Sequence, residues 1–309
     1  MDCLSSAPLE ARVDFPVDDL CDIVQWIEEI KQFKADYPTL FDALMKQSIF
    51  DFVSATVMQE QIIPKTSMFN VRENMMKYPE SQNLWWITDI HLKTWGQNDQ
   101  EPYVLTIDRL KTLHQQLMQN VSGINTCDKG RFCTRGRYST YKGKRHCYPR
   151  IKNQQEYVRI LEPMLEEFNK AMAAIFFEKD LHTSVKKSVY LASWIFYQIT
   201  SLHPFVDGNG RTARVLASRC FPQLFHLPVF VWSKITPVEI QFVDTLIDVR
   251  TRRDLTGLDN LVWDSMYLAT RNVKWRVNQI RGKSALWPAA ASPTCSSLAK
   301  TSSITQDNK

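Results

Sequence analysis

Apolar residues recur three and four positions apart along most of the chain, and few stretches alternate, so the pattern predicts a mostly helical protein. Ile23, Trp26, Ile27 and Ile30 trace a first helix with charge on its opposite face, started by Asp18 or Asp19. A second helix is expected over residues 39–63, where Pro64 stops it. A third is expected over 84–94, ended by Gly96, and a fourth over 106–120 along Ile107, Leu110, Leu113 and Leu117. Residues 121–152 break the pattern. Ser122-Gly123, Lys129-Gly130, Arg135-Gly136 and Lys142-Gly143 are turn signals, and the runs 131–134, 137–141 and 145–148 between them are rich in Phe, Thr and Tyr. They predict a small β-hairpin interrupting the helices. Helical spacing returns over 154–177, 183–201, 209–221, 237–250 and 259–280. From Lys283 onward Ala, Ser and Thr dominate, with Pro288 and Pro293, which predicts a disordered tail.

Composition narrows the class. With 309 residues, 44% hydrophobic and 23% charged, the chain can bury a sizeable core and is not a disordered or low-complexity protein. The longest apolar run, near 189–199, is too short to span a bilayer, so no membrane is expected as a partner. The start MDCLSSAPLEAR lacks the basic and apolar blocks of a signal peptide, so a cytoplasmic location is expected. A net charge of +5 does not by itself argue for nucleic acid. The seven scattered cysteines read as free thiols in a reducing compartment.

Chemistry concentrates in residues 202–214, LHPFVDGNGRTAR, between an apolar helix and the next. Asp207-Gly208-Asn209-Gly210 must turn sharply, which Gly and Asn tolerate. The amides of Gly208, Asn209 and Gly210 then point outward at a helix N-terminus, forming an anion nest with a favourable dipole. Arg211 and Arg214, three apart, share one helix face near that nest and suit a polyphosphate. Asp207 offers a carboxylate for Mg²⁺. His203, with a near-neutral pKa, is placed to act as general base for a hydroxyl nucleophile. Pro204 stiffens the entry and Phe205 anchors the loop in the core.

These residues also match, without a gap, the signature HPFx(D/E)GNGRxxR of the Fic (filamentation induced by cAMP) family, which the chain resembles. The resemblance implies an all-α bundle with a short β-hairpin flap at 129–149, covering about residues 50–275. It suggests an N-terminal helical region at 1–50, a Fic domain with flanking helices at 51–280 (core 104–221), and a tail at 281–309. It implies a protein adenylyltransferase that moves AMP from ATP to a Ser, Thr or Tyr hydroxyl. In that scheme His203 takes the hydroxyl proton and Asp207 holds Mg²⁺. Gly208, Asn209 and Gly210 hold phosphate oxygens, and Arg211 and Arg214 hold the β- and γ-phosphates. Removal of AMP, transfer of another phosphate-containing group, and an inactive ATP-binding interaction module remain alternatives.

Many members carry an inhibitory helix with the pattern (S/T)xxxE(G/N), whose Glu pairs with the second motif arginine. Thr56 to Gln61 resembles it and makes Glu60 the inhibitory candidate, with Gln61 departing from the family's Gly or Asn. Residues 129–152 hold nine Lys or Arg and no Asp or Glu, with Tyr138, Tyr141 and Tyr148 interleaved. Alone this composition suits single-stranded nucleic acid. The resemblance favours a flap that docks a target protein, with nucleic acid the weaker reading and a homodimer left open. Cys127, Cys133, His146 and Cys147 lack zinc-knuckle spacing, Cys220 reads as core, and the tryptophans at 85, 86, 194, 232 and 263 read as packing residues.

Overall fold

A computed structural model of the chain describes residues 7–59, 77–95, 101–224 and 238–282. Among these residues it holds nine α-helices and one two-stranded hairpin. The helices are α1 (Val17–Asp36), α2 (Pro38–Gln59), α3 (Pro79–Trp95), α4 (Ile107–Leu117), α5 (Gln154–Phe176), α6 (Leu181–Leu202), α7 (Asn209–Arg219), α8 (Val238–Arg252) and α9 (Thr256–Ile280). The strands β1 (Tyr138–Tyr141) and β2 (Lys144–Cys147) pair antiparallel, with Tyr141 opposite Lys144. Lys142 and Gly143 close the turn with φ of 48° and 72°, the twist that two-residue hairpins favour.

The core is built around α6. Residues 188–200 of it are buried on every side, and α1, α5, α7 and α9 pack against it. Three of its buried hydroxyls are satisfied within the helix. Ser188 donates to the Ser184 carbonyl (2.9 Å), Ser193 to Val189 (3.0 Å) and Thr200 to Phe196 (2.9 Å). The amphipathic α5 faces it with Tyr157, Leu161, Met164, Leu165, Phe168, Met172 and Ile175. Asn153 starts α5 by accepting the Glu156 N–H at 2.8 Å, and the Glu156 carboxylate accepts the Lys152 N–H at 2.8 Å. One cluster of buried side chains runs from Phe15 to Val277, and the boundary suggested at 50/51 falls inside α2.

A buried ion pair fastens the segment before α1. Arg12 donates to both oxygens of Asp259, at 2.7 and 3.0 Å, and to the Tyr190 carbonyl at 2.9 Å. Asp259 is inaccessible, and its burial raises its pKa against the pull of Arg12. Phe15 stacks on Trp263 beside it, with centroids 4.2 Å apart. The pair thereby ties the N-terminal segment to α6 and α9.

Several sequence expectations are corrected. Asp18 and Asp19 do not cap α1; the N-cap is Pro16, and the two carboxylates sit in the first turn, where the helix dipole favours them. α3 begins five residues before the expected start, at Pro79, because proline fits the first helical position. The run 131–134 is not a strand. Its backbone is used elsewhere: the Cys133 N–H donates to the Pro204 carbonyl (2.7 Å), and the Phe132 carbonyl accepts from Gln154 (2.6 Å). Trp86 is 49% exposed rather than core, whereas Trp194, Trp263 and Cys220 are buried. Glu60, Gln61, Trp232 and the tail from residue 283 lie outside the described residues.

Replacing Arg12 by Leu strands Asp259 in the core and is expected to cost about 3–5 kcal/mol in denaturant unfolding. The double variant Arg12→Leu/Asp259→Leu should recover most of that loss. A single variant within about 1 kcal/mol of the wild type would contradict the role given to the pair.

Candidate active site

α6 delivers the candidate base. It stops at His203, which adopts φ 51° and ψ 57° while its N–H still donates to the Ile199 carbonyl at 2.9 Å. A residue before proline disfavours the right-handed region, so Pro204 ends the helix there. The chain reverses and α7 begins at Asn209, with Gly208 as N-cap at φ 73°. Glycine is required at 208 for a second reason: a Cβ there would lie 2.5 Å from Met118 Sδ.

The turn is pinned from within and from outside. Asn209 is buried; its Oδ1 accepts the Phe205 N–H and its Nδ2 donates to the Phe205 carbonyl, both at 2.9 Å. Phe205 is inaccessible and stacks on the His114 ring at 3.8 Å and 5°. His114 Nδ1 accepts the Gly130 N–H at 2.9 Å, so its proton is on Nε2, which donates to the Asp207 carbonyl at 2.9 Å. Arg137 donates to the Phe205 carbonyl (3.1 Å) and to the Tyr157 hydroxyl (2.8 Å), which donates to the Cys133 carbonyl (2.7 Å). The segment before the hairpin and the motif turn are therefore one hydrogen-bonded unit.

Tyr148, just after β2, lies flat on His203, with ring centroids 3.8 Å apart and planes at 14°. Arg250 of α8 reaches over Tyr148 (5.1 Å to the ring centroid) and donates to the Thr200 carbonyl at 2.9 Å. The hairpin tip is held to the same helix by Lys142 and Asp244, at 2.8 Å. Burial lowers the His203 pKa to about 4. Arg137 and Arg250 push it the same way, and the Thr200 carbonyl and Asp207 oppose them. The near-neutral pKa expected from sequence is thus corrected: His203 is uncharged through the physiological range. Its Nδ1 faces the Thr200 carbonyl at 3.4 Å, which favours the proton on Nδ1 and leaves Nε2 as the acceptor.

The other motif residues fall beside it. Asp207 has a side chain 58% exposed, and one of its oxygens meets Arg211 Nη2 at 3.2 Å. Arg211 and Arg214 are each only 3% exposed. The first turn of α7 receives no side-chain cap from Gly208, so its first amides are not taken up by a capping side chain. Asn209 has spent its side chain on the loop, leaving its backbone for a ligand. Among the described residues no three His, Cys, Asp or Glu side chains gather into a metal cage, and Cys127, Cys133 and Cys147 are free thiols. A cation at Asp207 would take its remaining ligands from water and a bound polyphosphate, which fits Mg²⁺.

His114, Arg137, Tyr148 and Arg250 were not found as site residues from the sequence. His114 carried a signal, since it follows Leu110 and Leu113 on the buried stripe of α4. A histidine on an apolar face needs partners for both ring nitrogens.

Residues 104–220 match the sequence model of the Fic/DOC family. The chain carries a Fic domain. A Fido domain-containing protein of Dictyostelium discoideum is 47% identical over 36 residues, which is 11% of this chain and 25% of that protein. The small chain of ribonucleoside-diphosphate reductase from Ostreid herpesvirus 1 is 24% identical over 190 residues, 60% of this chain. That match takes in 30% of the viral protein, so the chain spans under a third of either relative. A Fic domain containing signaling protein from Bacteroides thetaiotaomicron superposes with a TM-score of 0.61 over 86% of this chain and 98% of its own, at 14% identity. At that identity the likeness is one of fold, and the Fic motif residues are read from this chain's own geometry.

Two predictions follow from the histidines. His114 is held neutral by burial, with a pKa near 4, while the unfolded chain takes up a proton below about 6.5. Stability is therefore full above pH 6.5 and falls as pH drops toward 4, by about 3 kcal/mol for this residue. Urea midpoints between pH 7 and pH 4.5 should fall less steeply in His114→Gln than in the wild type, and parallel curves would contradict the assignment. Tyr148→Ala should hydrate His203 and raise its pKa from about 4 toward 6.5, read by NMR titration of its ring proton. An unmoved titration would show that Tyr148 does not dehydrate the base.

Proposed function

We propose that this chain is a protein adenylyltransferase that transfers AMP from ATP to a Ser, Thr or Tyr hydroxyl of a target protein. The observation that carries the reading is the juxtaposition at the α6–α7 turn. An uncharged, half-buried histidine stands next to an uncapped helix N-terminus that bears two dehydrated arginines.

The steps follow from these groups. His203 Nε2 accepts the proton of the target hydroxyl. The freed oxygen attacks the α-phosphorus, forming the new P–O bond, while the α–β bridging bond breaks and its electron pair leaves on pyrophosphate. The amides of Gly208, Asn209 and Gly210 hold phosphate oxygens at the positive end of α7. Arg211 and Arg214 neutralise the β- and γ-phosphates. Both are already buried, so the attraction acts at low dielectric. Asp207 would hold Mg²⁺, which supplies charge neutralisation for the departing pyrophosphate. Negative phosphate charge beside His203 favours its protonated form, so the base strengthens once the nucleotide is bound.

Glu60 enters as a regulatory proposal that rests on its spacing within Thr56 to Gln61. Paired with Arg214, its carboxylate would occupy the γ-phosphate position and exclude productive ATP.

Intact mass spectrometry after incubation with ATP and Mg²⁺ tests the reading, with the chain itself and a cell lysate as acceptors. Added AMP should appear with the wild type, increase in Glu60→Gly, and fall about 10²–10⁴-fold in His203→Ala. Undiminished transfer by His203→Ala would overturn the role of the base. Absence of AMP on every acceptor, with Glu60→Gly folded and ATP bound, would overturn the transferase reading. An unchanged yield in Glu60→Gly would remove the brake alone.

A further inference from the structure

Residues 125–135 and the start of α5 enclose a cleft of about 560 Å³, a volume in the usual range for ligand sites. None of the motif residues lines it. Three cations do: Arg131, Arg135 and Lys152. One carboxylate faces them, Asp128, which pairs with Arg135 at 3.1 Å. Arg131 and Lys152 are exposed and have no carboxylate within ion-pair distance among the described residues. The remaining wall mixes polar Asn125, Thr134, Asn153 and Gln154 with Cys127, Phe132 and Cys133. The cleft thus carries a net positive charge that the fold itself does not neutralise.

We infer that this cleft binds an acidic peptide segment of the protein partner, at a docking site separate from the phosphate cradle. The inference rests on the proposed protein-modifying activity, since it assigns the charge of the protein substrate. The features of the cleft choose a peptide over a nucleic acid. The one aromatic ring in its lining, Phe132, is 2% exposed and offers no face on which a base could stack. Tyr138 is exposed on the hairpin, but Arg145 covers its ring at 3.8 Å, and it lies outside the cleft. The cations are gathered around one concavity, which suits a short run of carboxylates. Cys133 lines the cleft and donates to the Pro204 carbonyl, so a segment seated there is docked on the chain that also positions His203.

Binding needs no catalysis, which separates this proposal from the transferase reading. The test measures fluorescence anisotropy of a labelled octa-glutamate peptide, with octa-glutamine and a twelve-nucleotide single-stranded RNA as comparisons. Octa-glutamate should bind wild type and His203→Ala equally, without ATP, and weaken steeply with salt. Octa-glutamine should not bind. Arg131→Glu/Lys152→Glu should weaken octa-glutamate at least tenfold. Lys144→Glu/Arg145→Glu makes the same charge change on the hairpin and should weaken it less than about threefold. All four side chains are exposed, so both variants should keep the wild-type melting temperature. Equal loss in the two variants would reduce the effect to overall charge and overturn the site. So would no binding of octa-glutamate at low salt, or RNA binding more tightly with the same dependence on Arg131 and Lys152.

Discussion

The reversal between α6 and α7 is the constraint on which the site depends. Six residues must turn the chain, keep their backbone groups satisfied against the core, and leave the first amides of α7 open. A buried loop with unmet carbonyls would cost about 1–3 kcal/mol for each one. The chain meets this with side chains: Asn209 serves both backbone groups of Phe205, Arg137 a second bond to the Phe205 carbonyl, and His114 the Asp207 carbonyl. The Pro204 carbonyl is met by the backbone of the segment leading into the hairpin. Once these bonds form, the outer surface of the turn is the part left for chemistry.

The same packing sets the electrostatics. His203 loses its charge because Tyr148 and the core exclude water from it and because Arg137 and Arg250 stand nearby. A neutral imidazole beside cations is the form a proton acceptor needs. Arg211 and Arg214 are dehydrated by their place on α7 before any ligand arrives, so part of the cost of binding phosphate is met in folding. The base and the cationic clamp therefore share one cause, the burial of this turn between α4, α6 and the hairpin.

Much of this was legible in the sequence. The helical spacing of α4, α5, α6 and α9 reflects one-sided or complete burial, which periodicity reports directly. Lys142-Gly143 gave the hairpin turn, because the turn needs positive φ at both positions. The residues of the 203–214 motif are contiguous and could be read as a unit. His114, Arg137, Tyr148 and Arg250 could not, because they lie between 47 and 89 residues from His203 in the chain and meet the motif only through tertiary packing. The pKa of His203 was misjudged for the same reason: desolvation by Tyr148 has no local sequence signature. The segment 131–134 was misread because its Phe and Thr content suits a strand, while its backbone bonds go to the motif turn and α5.

The most direct test of the account is a crystal structure of the chain with Mg²⁺ and an ATP analogue whose α–β bridge cannot be cleaved. The account predicts phosphate oxygens on the amides of Gly208, Asn209 and Gly210, guanidinium contacts from Arg211 and Arg214, Mg²⁺ on Asp207, and the α-phosphorus on the His203 side of the cradle. A nucleotide seated elsewhere, or one that leaves the N-terminus of α7 free, would contradict it.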